Sequence, residues 1–385
     1  MTWWPAGVLI GIVAMLLVAN SRPAWRRLFH WLPIPLWCYG LPMLLVAAEV
    51  LPSQHAFYPW TMQRVLPVAL ALLLLGVDLP AVRRLGTQAL ITMAAGAAGI
   101  VAGVSLSVWG LQSHLPPEAW KGAGTLAATW TGGSLNMVAL RAVLSVPDAV
   151  FAPLVVVDAL VAYSWMACLV AGKGLAPWLN RWLRAPATAE PASAAPDLVG
   201  NPPTWWAQTC AAVLAIGLAG LCDMIARRLP VGGVVGSTAG WTILLVTTAA
   251  LSLSCLPAVR RAGSHGSAAG YLLLYLVLAA LGAQASLKAL AATPAWIAVG
   301  LGTVACHAAV LLVVGRTRRL PLGILATASQ ANVGGVVSAP LVGAVYHQTL
   351  APIGLLLAIA GNAVGTYVGL ATAALCRWLT GIGAG

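Results

Sequence analysis

Charge is what this sequence has least of. Only 7% of its 385 residues are Asp, Glu, Lys or Arg, against 61% hydrophobic ones, and the mean hydropathy is +0.92. A water-soluble surface cannot be assembled from such a supply, so membrane burial follows. Carboxylates are scarcest, eight in all against seventeen Arg and three Lys, which leaves a net charge of +12. The cations fall almost entirely between apolar stretches, the positive-inside distribution of a membrane protein. Nucleic acid would need a clustered basic face on a folded polar domain, and no stretch can form one. Nucleic acid is therefore excluded as a partner and the lipid bilayer is implied.

Sequence motifs for covalent and metal chemistry are missing too. The seven cysteines, Cys38, Cys168, Cys210, Cys222, Cys255, Cys306 and Cys376, show no CxxC or Cys/His ligand spacing and read as small core residues. No HExxH, GxSxG or P-loop pattern occurs, so neither an enzyme nor a resident cofactor or metal is expected. The apolar run at 7–19 has no basic stretch before it and no A-x-A site before Arg22, which makes it a first span rather than a cleaved signal.

What the chain does have is apolar runs of span length, roughly 17 to 25 residues each. Twelve stretches fit, near 3–19, 31–51, 64–79, 87–109, 121–143 and 149–171, then 205–222, 234–256, 268–287, 294–314, 321–345 and 350–376. Segment 185–204 is rich in Pro and Ala without apolar period and divides the chain into halves 1–184 and 205–385 as an exposed linker. Arg22, Arg26 and Arg27, then Arg83 and Arg84, place their loops in the cytoplasm and the N-terminus outside. Arg260, Arg261, Arg316, Arg318, Arg319 and Arg377 ask for the cytoplasm as well, and twelve strict crossings cannot satisfy both halves.

The halves end alike. TWTGGSLN at 129–136 is followed by a helix containing DALVAY at 158–163, and SQANVGG at 329–335 is followed by one containing NAVGTY at 362–367. The Asp158/Asn362, Ala and Tyr positions align without a gap, and Ala-Pro pairs, Ala152-Pro153 and Ala351-Pro352, stand near both helix starts. Paired glycines beside Thr, Ser and Asn weaken a helix and offer competing hydrogen bonds, so the chain can unwind at mid-membrane. Unwound backbone in hydrocarbon costs several kcal/mol per unsatisfied group unless protein, water or a ligand satisfies it. Polar, glycine-interrupted segments at corresponding places in two halves are therefore the sequence's pointer to a transporter site. The candidate binding residues are Thr129, Thr131, Gly132, Gly133, Ser134 and Asn136 in one segment, and Ser329, Gln330, Asn332, Gly334 and Gly335 in the other. The competing reading is that both segments are small-residue packing faces; the density of polar side chains, with Thr125, Thr327 and Ser338 nearby, exceeds what packing requires.

Asp158 lies about ten residues into an apolar helix, where an ionisable residue costs roughly 2.5–3.5 kcal/mol and marks an ion or proton path. With Asn362 as its neutral counterpart, the pair carries one formal charge and suits a single monovalent cation, Na+, or a proton. Asp78, Glu118, Asp148, Glu190 and Asp197 lie at span ends or in loops as solvated charges. Arg141 and Lys288 snorkel or meet substrate at a span end. His307, deep in an apolar run, reads as a helix-packing residue.

Through TWTGGSLNMVAL at 129–140 with Asp158, and SQANVGGVVSAP at 329–340 with NAVGTYVGL at 362–370, the chain resembles the YjcL-like family of uncharacterised bacterial membrane proteins. That resemblance implies membership of the superfamily of cation/proton antiporters and anion transporters, with inverted repeats and crossed, broken helices. Inverted repeats need an odd number of spans between equivalent helices, whereas this span map puts six steps between the interrupted ones. The expectation is an all-α membrane protein with about 11 to 13 transmembrane helices in two inverted repeats, located in the bacterial cytoplasmic membrane. Its expected function is secondary transport of a small anionic organic solute coupled to Na+ or H+. A cation/proton antiporter without organic substrate and a non-transporting assembly protein are the alternatives, and a homodimer is the one protein partner left open.

Overall fold

The computed structural model describes residues 3–25, 28–29, 34–82, 85–186, 205–231, 235, 237–285, 288, 290 and 293–381. Arg26, Arg27, Arg83, Arg84, Glu190, Asp197 and all but two residues of the 185–204 linker lie outside the described residues. Regular structure among the described residues is entirely helical. In the first half the helices of eight residues or more are α1 (Trp4–Ser21), α2 (Ile34–Ala47), α3 (Phe57–Leu74), α4 (Thr87–Gly110), α5 (Ala119–Gly132), α6 (Ser134–Leu144), α7 (Asp148–Ala171) and α8 (Ala176–Leu183). In the second they are α9 (Trp205–Ala226), α10 (Thr238–Ser254), α11 (Pro257–Ser264), α12 (Ser267–Gly282), α13 (Thr293–Arg318), α14 (Leu322–Val333), α15 (Gly335–Tyr346) and α16 (Leu350–Leu379).

Among the described residues, seven helices are long and apolar enough to cross a membrane: α1, α3, α4, α7 with its continuation to Leu183, α9, α13 and α16. The pair α10 and α11, bent by 113°, makes an eighth if it is one span, and α2, α6, α12 and α15 are shorter apolar helices. Backbone donors and acceptors satisfied within each helix are what hydrocarbon demands. The chain is an all-α membrane protein.

Two compact units form, each drawing on both halves of the sequence. The first comprises Met1–Val77, Val138–Ala159 and Pro203–Thr293; the second comprises Asp78–Met137, Leu160–Pro202 and Pro294–Gly385. In the first unit α12 packs on α1, α2 and α3, and α3 also packs on α9 and α10. Where α12 meets α2 only glycine fits, because a Cβ on Gly282 would run into the Tyr39 carbonyl.

The second unit holds both glycine-interrupted segments, and its contacts fix helix directions. Gly99 of α4 faces His307, Gly103 faces Thr303 and Cys306, and Ser107 faces Gly302, so α4 and α13 run antiparallel. Gly124 of α5 meets Gly369 and Ala373 while Gly132 meets Gly361, so α5 and α16 run antiparallel. Gly323 of α14 touches Leu350 and Thr327 touches Gly354, so α14 and α16 run parallel. Gly323 also touches Tyr346, at the far end of α15, and Ala326 packs with Val342. Helices α14 and α15 are thus folded back on one another: the second interruption is a helical hairpin.

The later part of α7 lies against α14 in the same sense as α5 against α16, with Trp165 at Ser329 and Met166 at Ala326. Shifted by the spacing between the two glycine pairs, these are the same contact made twice. Since α14 and α16 are parallel, α5 and the end of α7 run the same way, and α6 between them must carry the chain back. Equivalent helices such as α4 and α13 run in opposite directions, so the repeat is inverted.

Candidate functional site

The first interruption falls at one residue, Gly133, with φ 79° and ψ 174°, a backbone region open in practice only to glycine. Its N–H donates to the Thr129 carbonyl at 2.6 Å, closing α5, and its own carbonyl accepts from the Asn136 N–H at 2.9 Å, opening α6. Asn136, 2% exposed, then fastens the break to α16. Its Nδ2 donates to the carbonyls of Gly132 at 2.7 Å and Asn362 at 3.3 Å, and its Oδ1 accepts from the Thr366 hydroxyl at 2.6 Å. The side chain expected to hold a ligand is consumed in holding the break open.

The second interruption follows the same plan. Gly334 donates to the Gln330 carbonyl at 2.8 Å and Gly335 takes φ 77°. A Cβ on Gly335 would lie 3.9 Å from the Gly133 Cα, and one on Gly133 would lie 3.5 Å from the Asn362 Oδ1. The tips of the two segments therefore meet, with the Asn362 side chain beside them. Gly133, Ser134, Gly334 and Asn362 are partly open, whereas Thr129, Thr131, Ser329, Gln330 and Asn332 are buried.

Several of these buried groups have unused valences. Gln330 donates through Nε2 to Ser338 at 2.8 Å and Asn332 through Nδ2 to the Met93 carbonyl at 3.1 Å. Among the described residues the Gln330 Oε1, the Asn332 Oδ1 and the Thr131 hydroxyl have no hydrogen-bond partner. Unpaired buried oxygens are costly and rare in native interiors, and these three all come from the two interrupted segments. They do not make one cage, since the Gln330 amide points to α15 and that of Asn332 to α4. No group of three His, Cys, Asp or Glu side chains able to hold a metal ion occurs among the described residues.

Ser329 belongs to a relay that sequence reading missed. The Trp165 Nε1 donates to its hydroxyl at 2.8 Å, and His307 contacts that hydroxyl through Nε2 at 2.8 Å and the Gly96 carbonyl through Nδ1 at 2.8 Å. A carbonyl can only accept, so Nδ1 carries the proton and a neutral ring takes the Ser329 proton at Nε2. His307 is a packing residue that also fixes a site residue. Thr366 was legible as the residue one turn beyond Asn362; Trp165 and Met93 carry no local signal. Asp158 is half-buried on the part of α7 that belongs to the first unit.

An inverted-repeat, all-α membrane protein with two glycine-tipped hairpins is the class this geometry defines. By sequence the chain belongs to the family described as Protein of unknown function (DUF819), whose model matches residues 7–379. It is similar to the Uncharacterized membrane protein YjcL of Bacillus subtilis (strain 168), with 23% identity over 345 residues, 85% of this chain and 86% of that protein.

Proposed function

We propose that the protein is a secondary transporter of the bacterial cytoplasmic membrane, moving a small anionic organic solute in exchange for the energy of a Na+ or H+ gradient. The observation that carries this reading is the meeting of the Gly133 and Gly335 tips from two inversely related segments. A packing face needs no reversal of the backbone and no unpaired oxygens, whereas a solute site needs both an opening and polar atoms left for the solute. At each tip a helix begins, α6 at Ser134 and α15 at Gly335, and helix starts present backbone N–H groups and partial positive charge to an anion. Asp158, equivalent in the repeat to Asn362, is the coupling residue in this scheme.

The test is uptake of radiolabelled carboxylates into proteoliposomes under an imposed Na+ or H+ gradient. Gradient-dependent accumulation is expected, and Asp158→Asn should abolish coupling while the protein still inserts and folds. Dissipation of a pH gradient by Na+ or K+ alone, with no solute accumulated, would identify a cation/proton antiporter instead. Undiminished coupled uptake by Asp158→Asn would remove that residue from the mechanism.

A further inference from the structure

One end of the second unit gathers cations and leaves them without counter-charge. Lys173 stands just past α7, Arg181 and Arg184 at the end of α8, and Arg316, Arg318 and Arg319 at the end of α13. Tertiary contacts bring these ends together. Arg316 donates through Nη1 to the Trp182 carbonyl and lies over the Trp182 ring, 5.4 Å from its centroid, while Asn180 Oδ1 accepts from the Leu322 N–H at 2.8 Å. Arg316 is half-buried and the other five cations are exposed. None of the six forms an ion pair among the described residues. Of the two carboxylates described in this unit, Glu118 pairs with Lys121 and Asp78 accepts from the Ala81 N–H at 3.2 Å. The linker that follows α8 brings only Glu190 and Asp197, too few to neutralise six cations.

Helix ends favour cations through the dipole, and cytoplasmic loops collect them. Neither effect calls for an apolar face beside the charge, yet α8 carries one. With helical periodicity its residues fall on three sides. Ala176, Leu179, Asn180 and Leu183 pack on α13 and α14. Leu175, Trp178 and Trp182 form a second side, 59%, 59% and 44% exposed, and Arg181 and Arg184 a third. The level of this end in the bilayer follows from length. Asp148–Leu183 is a stretch of 36 residues, roughly 54 Å at the helical rise and roughly 41 Å along the normal even when tilted by about 40°. Hydrocarbon is about 30 Å thick, so the cationic end of the stretch stands among the headgroups. There the exposed Trp rings reach the acyl boundary and the guanidinium groups meet phosphates, which they pair with bidentately.

We propose that this end of the second unit binds an anionic phospholipid of the cytoplasmic leaflet, its phosphate taken by Arg181, Arg184 and Arg316 and its glycerol and upper acyl chains lying along Trp178 and Trp182. A soluble anion would satisfy the cations and leave the apolar side of α8 bare, whereas an amphiphile covers both. The assignment stands on the membrane character of the chain and does not depend on the transporter reading.

The experiment is thermal unfolding of the full chain in a neutral detergent, titrated with dioleoylphosphatidylglycerol or, at the same concentrations, with dioleoylphosphatidylcholine. A ligand that binds only the folded state must raise the melting temperature. Phosphatidylglycerol should do so in a saturable way beyond phosphatidylcholine, and NaCl at about 1 M should remove most of the difference. Arg181→Gln with Arg184→Gln should raise the half-saturating phosphatidylglycerol concentration about tenfold. Arg227→Gln with Arg228→Gln, which removes the same charge from exposed positions of the first unit, should leave the difference between the lipids as it is in the wild type. Equal curves for the two lipids, a wild-type response in the α8 variant, or an equal loss in both double variants overturns the assignment. So does sodium phosphate that reproduces the rise without lipid, since the site would then take a soluble anion.

Discussion

Gly133 is the residue on which the first interruption turns. Its φ of 79° and ψ of 174° are tolerated by other residues only at a cost of about 1–3 kcal/mol. Gly133→Ala is expected to lower stability by that amount, because a Cβ cannot be held in this backbone region without strain, and a denaturation midpoint measures it; on the proposed transporter reading, uptake should fall further as the tip closes. Asn136 acts by hydrogen bonds instead. Removing it leaves the Thr366 hydroxyl and two carbonyls without their partner, so Asn136→Ala should cost about 2 kcal/mol and Thr366→Val about 1 kcal/mol. The double variant should cost less than the two together, because each single change already breaks the shared bond; denaturation of the four proteins in one detergent measures the coupling. Additive losses would mean that the Asn136 to Thr366 bond contributes nothing.

At the scale of elements, packing in the second unit depends on close approach of α4 to α13. A Cβ on Gly103 would stand 2.8 Å from the Thr303 Cα and 2.9 Å from the Cys306 Cβ, whereas Gly110 on the same helix has nothing within 4 Å. Gly103→Ala should destabilise by about 1–3 kcal/mol through overpacking. Gly110→Ala should be neutral or slightly stabilising, and a melting-temperature comparison of the two separates packing from helix propensity. Elements were also where sequence reading reached its limit. Both interruptions stand where the glycine pairs placed them, since local backbone chemistry is written in local residues. That each segment doubles back was not legible. A hairpin of two apolar helices, such as α14 and α15, produces the same uninterrupted apolar run as one straight span, and hydropathy carries no information about direction. The partners of the tips, Trp165 and Met93, come from helices distant in sequence and share no spacing with them. His307 stands alone along the chain, while its hydrogen bonds to Gly96 and Ser329 are tertiary.

For the whole molecule, the hairpins resolve the conflict between charge distribution and crossing number. If α5/α6 and α14/α15 each enter and leave by one face, and the shorter α2, α10 and α12 cross together with the seven span-length helices, ten helices cross: α1, α2, α3, α4, α7, α9, α10, α12, α13 and α16. Five steps then separate α4 from α13, an odd number, as their antiparallel packing requires. With the N-terminus outside, nine of the sixteen described Lys and Arg residues fall on the cytoplasmic side: Arg22, Lys173, Arg181, Arg184, Arg260, Arg261, Arg316, Arg318 and Arg319. Of the outer cations, Lys121, Arg141 and Arg227 are each matched by a carboxylate, Glu118, Asp148 and Asp223. Twelve strict crossings would instead put Lys173, Arg181, Arg184, Arg260, Arg261, Arg316, Arg318 and Arg319 outside. The two arrangements part at the loops after α6 and after α11. In a cysteine-free background, Ser145→Cys should react with a membrane-impermeant maleimide added to intact cells, and His265→Cys should react only after the membrane is opened. The reverse pattern would mean that the hairpin segments cross the bilayer, and with that the two tips would no longer approach the membrane centre from opposite faces.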